Sequence, residues 1–444
     1  MAILDFIVGL GPSVMMPILL TLFGLLLGAS FGKSLRSGLT VGVGFIGLNL
    51  VIGLLGNNLG PAAQTMVENF GLSLTTVDVG WPAAAAIAFG SQIGAVIIPI
   101  GLVINVVMLL TNTTQTVNID IWNYWHFAFT GALVQGITGS FMMGAFAASM
   151  NMIITMVIAD RTAPGVEEFL GLPGVSLPHG FTGAYAPIAA VMNAILERIP
   201  GVNKINIDPE KVQKRLGVFG EPLLVGTVIG IIIGIMAQYD ISGILNLGVT
   251  MGGVLILIPR MAAMLMEGLI PVSDAAQVFI EKRFKNRGKM YIGLDSAVGI
   301  GHPTTLAVAL LLTPITIFLA IVLPGNTVLP FADLAVIPFM FVLVVPFTKG
   351  DFFRTFIIGL VIVAAGLLIA TDLAPIHTQM AIEANFDMGG ATQISSICDG
   401  ANPMAWGISK LMNMGVVGAG ILGVLSVGLA VWNRKKIVEE AHAE

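Results

Sequence analysis

The sequence predicts an all-α polytopic membrane protein of about 11 transmembrane helices, arranged as two inverted five-helix repeats plus one, with re-entrant or broken segments. Three observations lead there. Hydrophobic residues make up 56% of the 444 positions and charged residues only 10%, against ~25% charged in soluble domains. Apolar stretches of the ~20 residues that cross ~30 Å of hydrocarbon recur along the whole chain. Short motifs in the first half reappear in the second. The same numbers exclude other classes. A net charge of −5 without a basic stripe gives no footprint for nucleic acid. One cysteine cannot form a disulfide framework or a Cys-rich metal site. There is no GxxxxGK[ST] phosphate loop, and no signal-peptide pattern opens the chain, so the first apolar stretch is expected to be a retained span.

Taken in order, the candidate spans lie near 10–32, 38–56, 82–110, 126–159 and 180–197, then 217–237, 243–266, 293–322, 331–347, 355–373 and 411–433. Several are too long for one straight crossing or carry Pro99, Pro303 or Pro314, which break or tilt a helix. Lys and Arg collect in cytoplasmic loops. Here they gather at Lys33 and Arg36, at Lys204 to Arg215, at Lys282 to Lys289, at Lys349 and Arg354, and at Arg434 to Lys436. The linkers 57–80, 238–243 and 323–330 have none. Eleven spans with the N-terminus outside and the C-terminus cytoplasmic put all the basic clusters on one side.

The halves carry matching signatures. Ala62-Ala63-Gln64 and Glu68 correspond to Ala275-Ala276-Gln277 and Glu281, while Gly38, Thr40 and Gly42 correspond to Gly248, Thr250 and Gly252. Five spans per copy is odd, so the second copy is inverted, a frequent transporter architecture with substrate bound near the midplane. The chain then divides into a first repeat (1–205), a cytoplasmic linker (206–216), a second repeat with a long external or re-entrant segment (217–410), and a final helix with a cytoplasmic tail (411–444).

Polar groups at membrane depth cost energy, so they are functional candidates. They are Asp295, His179, Gln92, His126, His302 and Glu221. Asp295 and His302 stand in Gly293-Leu-Asp-Ser-Ala-Val-Gly-Ile-Gly-His-Pro303, whose glycines and proline argue against a smooth helix. A carboxylate accepts from neighbouring hydroxyls, and an imidazole both donates and accepts, which suits a sugar or polyol. The alternative reading makes Asp295 an interfacial helix cap and His302 a satisfied interhelical histidine. Gln92 interrupts an apolar run before Pro99, either as a substrate contact or as glue between helices. Trp122, Tyr124 and Trp125, before His126, read as an interfacial belt or a sugar-stacking platform. Leu172 to Gly180 is rich in turn formers; buried, it would present His179 at a re-entrant tip, and exposed, it is only a loop. Glu221 either caps a helix or reaches the cavity. Segment 374–410 reads as a lid, a re-entrant element or an external loop. Cys398 has no histidine or basic residue near it in sequence that would activate a thiolate. The basic amphipathic stretch Glu281 to Arg287 fits the inner leaflet or a phosphate-bearing partner.

Phe219-Gly-Glu-Pro-Leu-Leu-Val-Gly-Thr-Val-Ile-Gly230, Ile270-Pro-Val-Ser-Asp-Ala-Ala-Gln-Val-Phe-Ile-Glu-Lys-Arg-Phe284 and Tyr291-Ile-Gly-Leu-Asp-Ser296 resemble the galactitol-type membrane component (IIC) of the bacterial phosphotransferase system, over nearly the whole chain. That family is related to the ascorbate permease components. The resemblance implies a homodimer in the bacterial inner membrane and an elevator-like movement of a core against a scaffold. It also implies a polyol, most simply galactitol, bound outside and presented to a IIB subunit that is phosphorylated on cysteine, with IIA upstream. No cofactor, metal or catalytic residue is expected on this chain, and nothing on it resembles a phosphoryl-carrying residue. Substrate contacts carried over from the family fall on Asp295 and His179, then His126 and Gln92. The alternative is a cation-coupled symporter in which Asp295 or Glu221 carries a proton. A membrane-embedded enzyme fits least, because the histidines and carboxylates lack any HExxH-type pairing.

Overall fold

The computed structural model describes residues 10, 12–70, 74–118, 120–202, 205, 207–217, 221–284 and 290–443. Apolar runs without water-facing partners become helices, which satisfy their own backbone polar groups. In chain order they are α1 (Pro12–Leu26), α2 (Phe31–Phe70), α3 (Trp81–Gly90), α4 (Gly94–Leu110), α5 (Tyr124–Thr138), α6 (Phe141–Leu170), α7 (Gly180–Leu196), α8 (Pro209–Leu216), α9 (Pro222–Met236), α10 (Ile241–Phe284), α11 (Pro303–Val322), α12 (Val344–Thr348), α13 (Phe352–Glu383), α14 (Pro403–Met412) and α15 (Val416–Ala443). Among the described residues, six helices are long and apolar enough to cross a membrane, or seven if the bent pair α3–α4 counts as one. The chain is therefore a multi-pass membrane protein.

The expected spans differ from these helices in instructive ways. The span near 38–56 is the middle of the 40-residue α2, so 57–70 is helix rather than linker. The stretch 126–159 is two helices, because Gly139 adopts a left-handed conformation (φ 66°) and Ser140 caps α6. The stretch 331–347 is a 3-10 turn over Ala332–Met340 followed by the short α12, since Pro338 denies it a regular helix. From Glu281 to Phe284 the basic stretch is the last described turn of α10; Lys285, Arg287 and Lys289, like Lys204, lie outside the described residues. In the linker, Asp208 caps α8 by accepting from the N–H groups of Glu210 and Lys211. The Lys211 N–H holds its carboxyl below the usual carboxylate range.

Two groups of helices form. α2 and α10 pack along each other, with α1 beside α2 and α9 beside α10. The second group centres on α5 and α6, with α7, α13 and α14 around them, α11 against α13, and α15 along α6. Within it Asp160 of α6 accepts from Thr116 Oγ1 (2.7 Å) and Asn433 Nδ2 (2.6 Å), tying the final helix to the core.

Irregular backbone inside the bundle is satisfied by two small parallel sheets. One has the order β5-β1-β6, with β1 (Thr76–Asp78) between β5 (Val328–Leu329) and β6 (Ile394–Ser395). In the other, β4 (Tyr291–Gly293) lies between β2 (Thr116–Asn118) and β3 (Val175–Ser176). The registers pair Val77 with Leu329 and Ile394, and Ile292 with Val117 and Val175. Each central strand thus comes from one half of the chain and both flanking strands from the other.

Candidate substrate site

Four of the short strands deliver their trailing residues to one place. After β4 the chain passes Leu294 to Asp295, whose carboxylate caps a 3-10 turn by accepting from Ala297 N at 2.7 Å. After β3 it reaches His179, the N-cap of α7, whose Nδ1 accepts from Thr182 N at 3.2 Å. After β6 come Asp399 and then Asn402, the N-cap of α14, which accepts from Met404 N and Ala405 N. After β2 come Asp120, the 3-10 turn Ile121–Asn123 and then His126 in the first turns of α5.

These groups form a connected chain. His126 Nδ1 lies 2.6 Å from Asp399 Oδ2, and His126 Nε2 lies 3.3 Å from His179 Nε2. His179 Nε2 is also 3.7 Å from Asp295 Oδ1. The tautomers follow from the partners. Because His179 Nδ1 accepts the Thr182 N–H, its proton sits on Nε2 and points at His126 and Asp295. His126 Nε2 accepts, so its own proton sits on Nδ1 and is donated to Asp399. Asn402 Nδ2 donates to Asp399 Oδ1 (2.8 Å) and to the Gly180 carbonyl (3.1 Å).

Packing holds the imidazoles in place. The Trp125 and His126 ring centroids are 4.1 Å apart, and those of His126 and His179 are 4.3 Å apart. Gly180 is required here, because a Cβ on it would lie 2.5 Å from His126 Cβ. His126, His179, Asp399 and Asn402 are all buried, whereas 19% of the Asp295 side chain stays exposed. Asp295 is therefore the accessible end of the chain. The backbone N–H groups of Asp295, Trp122 and Asn123 face the Asp120 carboxylate, which neighbours that of Asp295. The hydroxyl of Tyr185, also buried, has no hydrogen-bond partner among the described residues.

Three of the sequence candidates, His126, His179 and Asp295, are thus brought together, and three are not. Gln92 sits in the 89° break between α3 and α4, where its Oε1 accepts from Gln135 Nε2 at 2.8 Å, nine residues along α5 from His126, or ~13 Å. His302 caps α11, accepting from Thr304 N at 3.3 Å. Glu221 is exposed at the start of α9 and makes no side-chain cap, so it neither reaches the cluster nor closes the helix end. The aromatic group is also placed differently from an interfacial belt: Trp122, Tyr124 and Trp125 are buried within protein.

Sequence reasoning left Asp399, Asn402, Asp120 and Tyr185 unassigned. A signal for the first did exist. Ser396-Ile-Cys-Asp399-Gly400 repeats the spacing of Ser176-Leu-Pro-His179-Gly180, with Asp399 in the histidine's place. Segment 374–410 is no external loop, because α13 continues to Glu383 and the remainder turns inward through β6 to α14. Folding also gives Cys398 a histidine neighbour absent from its sequence surroundings. Ligand-type atoms of His126, Cys398 and Asp399 lie within 4.8 Å of one another. That spacing suits a soft cation, although His126 and Asp399 already satisfy each other. An open cavity of about 680 Å³ lies elsewhere, between α2 and α10, lined by Lys33, Arg36, Glu267 and Asp274.

The family model described as PTS system sugar-specific permease component matches residues 6–391. A putative permease IIC component of Escherichia coli (strain K12) is 41% identical over 98% of this chain and 100% of its own length. The PTS system galactitol-specific EIIC components of Escherichia coli strains K12 and O157:H7 are each 42% identical over 91% of this chain and 89% of theirs. This chain belongs to the family of sugar-specific permease components of the phosphotransferase system.

Proposed function

We propose that this protein is the IIC component of a polyol-specific, most simply galactitol-specific, phosphotransferase system, and that the polyol binds against Asp295, His179, His126 and Asp399. The observation that carries this reading is the buried, continuous donor and acceptor chain from Thr182 through both histidines to Asp399, with Asp295 accessible beside it. A neutral ligand rich in hydroxyls needs paired donors and acceptors rather than net charge. The galactitol-specific relatives support the substrate class.

The architecture we propose is two inverted repeats, residues 1–205 and 217–410, joined by the linker 206–216 and followed by a final helix from 411. The exchanged strands support it: replacing β1, β2 and β3 by β4, β5 and β6 converts one sheet into the other. The glycines that matched in sequence support it too. A Cβ on Gly42 would crowd the Ser13 carbonyl of α1, and one on Gly252 would crowd the Leu223 carbonyl of α9. In this reading α1, α2, α9 and α10 are the scaffold, and the group holding the histidines moves against it as an elevator. The protein is a homodimer in the inner membrane, its N-terminus outside, and a phosphorylated IIB subunit, itself charged by IIA, meets the polyol from the cytoplasm.

Vesicles carrying the protein, supplied with labelled polyols with and without phosphorylated IIB, test this. Phosphorylated polyol accumulating only with IIB is expected. Uptake that ignores IIB but collapses with the proton gradient would replace the reading by a cation symporter.

A further inference from the structure

Away from the histidines, a second pair of carboxylates is fully buried. Asp78 ends β1 and Asp333 stands in the 3-10 turn Ala332–Met340, and both are 0% exposed. Each reaches across to the other half of the chain. Asp78 accepts from Gly80 N (3.1 Å) in its own half, and from Phe331 N (3.0 Å) and Asp333 N (2.8 Å) in the second. Asp333 accepts from Trp81 N (2.5 Å) in the first half, and from Ser396 Oγ (2.5 Å) and Cys398 N (3.0 Å) beyond β6. No Lys or Arg pairs with either among the described residues. Their acceptor oxygens are spent on backbone N–H groups and, for Asp333, on the Ser396 hydroxyl as well.

One of these contacts leads to the site. The N–H of Cys398 donates to Asp333 Oδ2 and Ser396 Oγ, and the next residue is Asp399, which receives the His126 proton. Asn402 follows in the same turn and holds the other oxygen of Asp399. The backbone of 396–398 is thereby anchored to a carboxylate from a different element, and Asp399 projects from that anchor. We infer that Asp333, itself held by Asp78 and joined to Cys398 through Ser396, is a positioning residue that sets where Asp399 meets His126 and so tunes polyol affinity without touching the polyol. The inference rests on the proposed substrate site.

Cys398 is the sole cysteine and 1% exposed, so thiol labelling reports on this anchor without any engineered probe. The experiment compares the full chain with Asp333→Asn and with Ser396→Ala in vesicles, following maleimide labelling of Cys398 and the kinetics of polyol phosphorylation by phosphorylated IIB. Asp333→Asn turns one acceptor oxygen into a donor that faces N–H groups, whereas Ser396→Ala removes a single hydroxyl and leaves both carboxylates intact. Both variants are expected to raise the polyol KM about tenfold, the loss of one buried hydrogen bond. Maximal rate should change less than about twofold, Cys398 labelling should rise, and saturating polyol should slow that labelling. Should Asp333→Asn fail to insert, Ser396→Ala decides alone. Unchanged KM and unchanged labelling in Ser396→Ala would overturn the inference even where wild-type transport is normal. A wild-type protein that processes no polyol, yet whose Cys398 becomes reactive in the variants, would instead condemn the substrate assignment and spare the anchor.

Discussion

His179 shows how one side chain sets the polarity of a site. Its Nδ1 is committed to Thr182 N, which fixes the proton on Nε2 and the direction of every later hydrogen bond to Asp399. Replacing it with alanine removes the cap of α7, a loss of about 1 kcal/mol in stability, and leaves His126 without its donor. Polyol phosphorylation by His179→Ala is expected to fall more than tenfold in kcat/KM while the protein still reaches the membrane, read by vesicle assay and immunoblot. Asp295→Asn keeps an oxygen for Ala297 N but removes the charge. Polyol affinity should weaken about 10- to 100-fold, as expected for losing charge-assisted hydrogen bonds, and equilibrium binding checks it. Asp295 and His179 were legible in the sequence because a carboxylate or an imidazole stands out among apolar residues. Gln92 stood out equally, but its interhelical bond to Gln135 is a matter of packing that no local pattern discloses. Asp399 was obscured for the opposite reason: its segment is polar enough to resemble an ordinary loop.

At the scale of elements, close approach decides what the sequence can carry. α7 meets α5 where Gly180 faces His126 Cβ, so Gly180→Ala must push the helix start away from the imidazole. Transport in Gly180→Ala is expected to drop at least tenfold, with the thermal midpoint lowered by a few degrees, since overpacking of this kind costs ~1–3 kcal/mol; a fluorescence-detected melting curve reads it. On the other body, Gly226 and Gly230 of α9 lie against the backbone of Met251 and Leu247 of α10, the small-xxx-small contact of membrane helices. Gly230→Leu should therefore lower the amount of folded protein recovered in detergent without altering the KM of what remains. The long helices were readable from apolar length alone. Their ends were not, because α2 and α10 run well past the apolar stretch into Glu68 and Glu281, where helix propensity and packing override hydropathy.

For the molecule as a whole, the charge of the proposed site bears on the direction of transport. Phosphorylation adds ~1.5–2 negative charges to a ligand that the proposed site sets beside Asp295 and Asp399, with Asp120 adjacent and no Lys or Arg paired to any of the three among the described residues. The polyol phosphate should consequently bind at least tenfold more weakly than the polyol, and isothermal titration of both would check it. Membrane character was legible because composition is a property of the whole chain. The strand exchange was not, since two- and three-residue strands leave no periodicity to read.

That exchange has a consequence for biosynthesis. Thr76 bonds to Thr327, 251 positions away, and to Gln393, 317 positions away. A nascent chain emerging from the ribosome exposes β1 long before either neighbour exists, so the N-terminal portion must wait in the bilayer with that strand uncapped. Neither portion expressed alone can complete its own sheet, whereas the two supplied as separate polypeptides retain every interlocking edge and can in principle reassemble into one transporter.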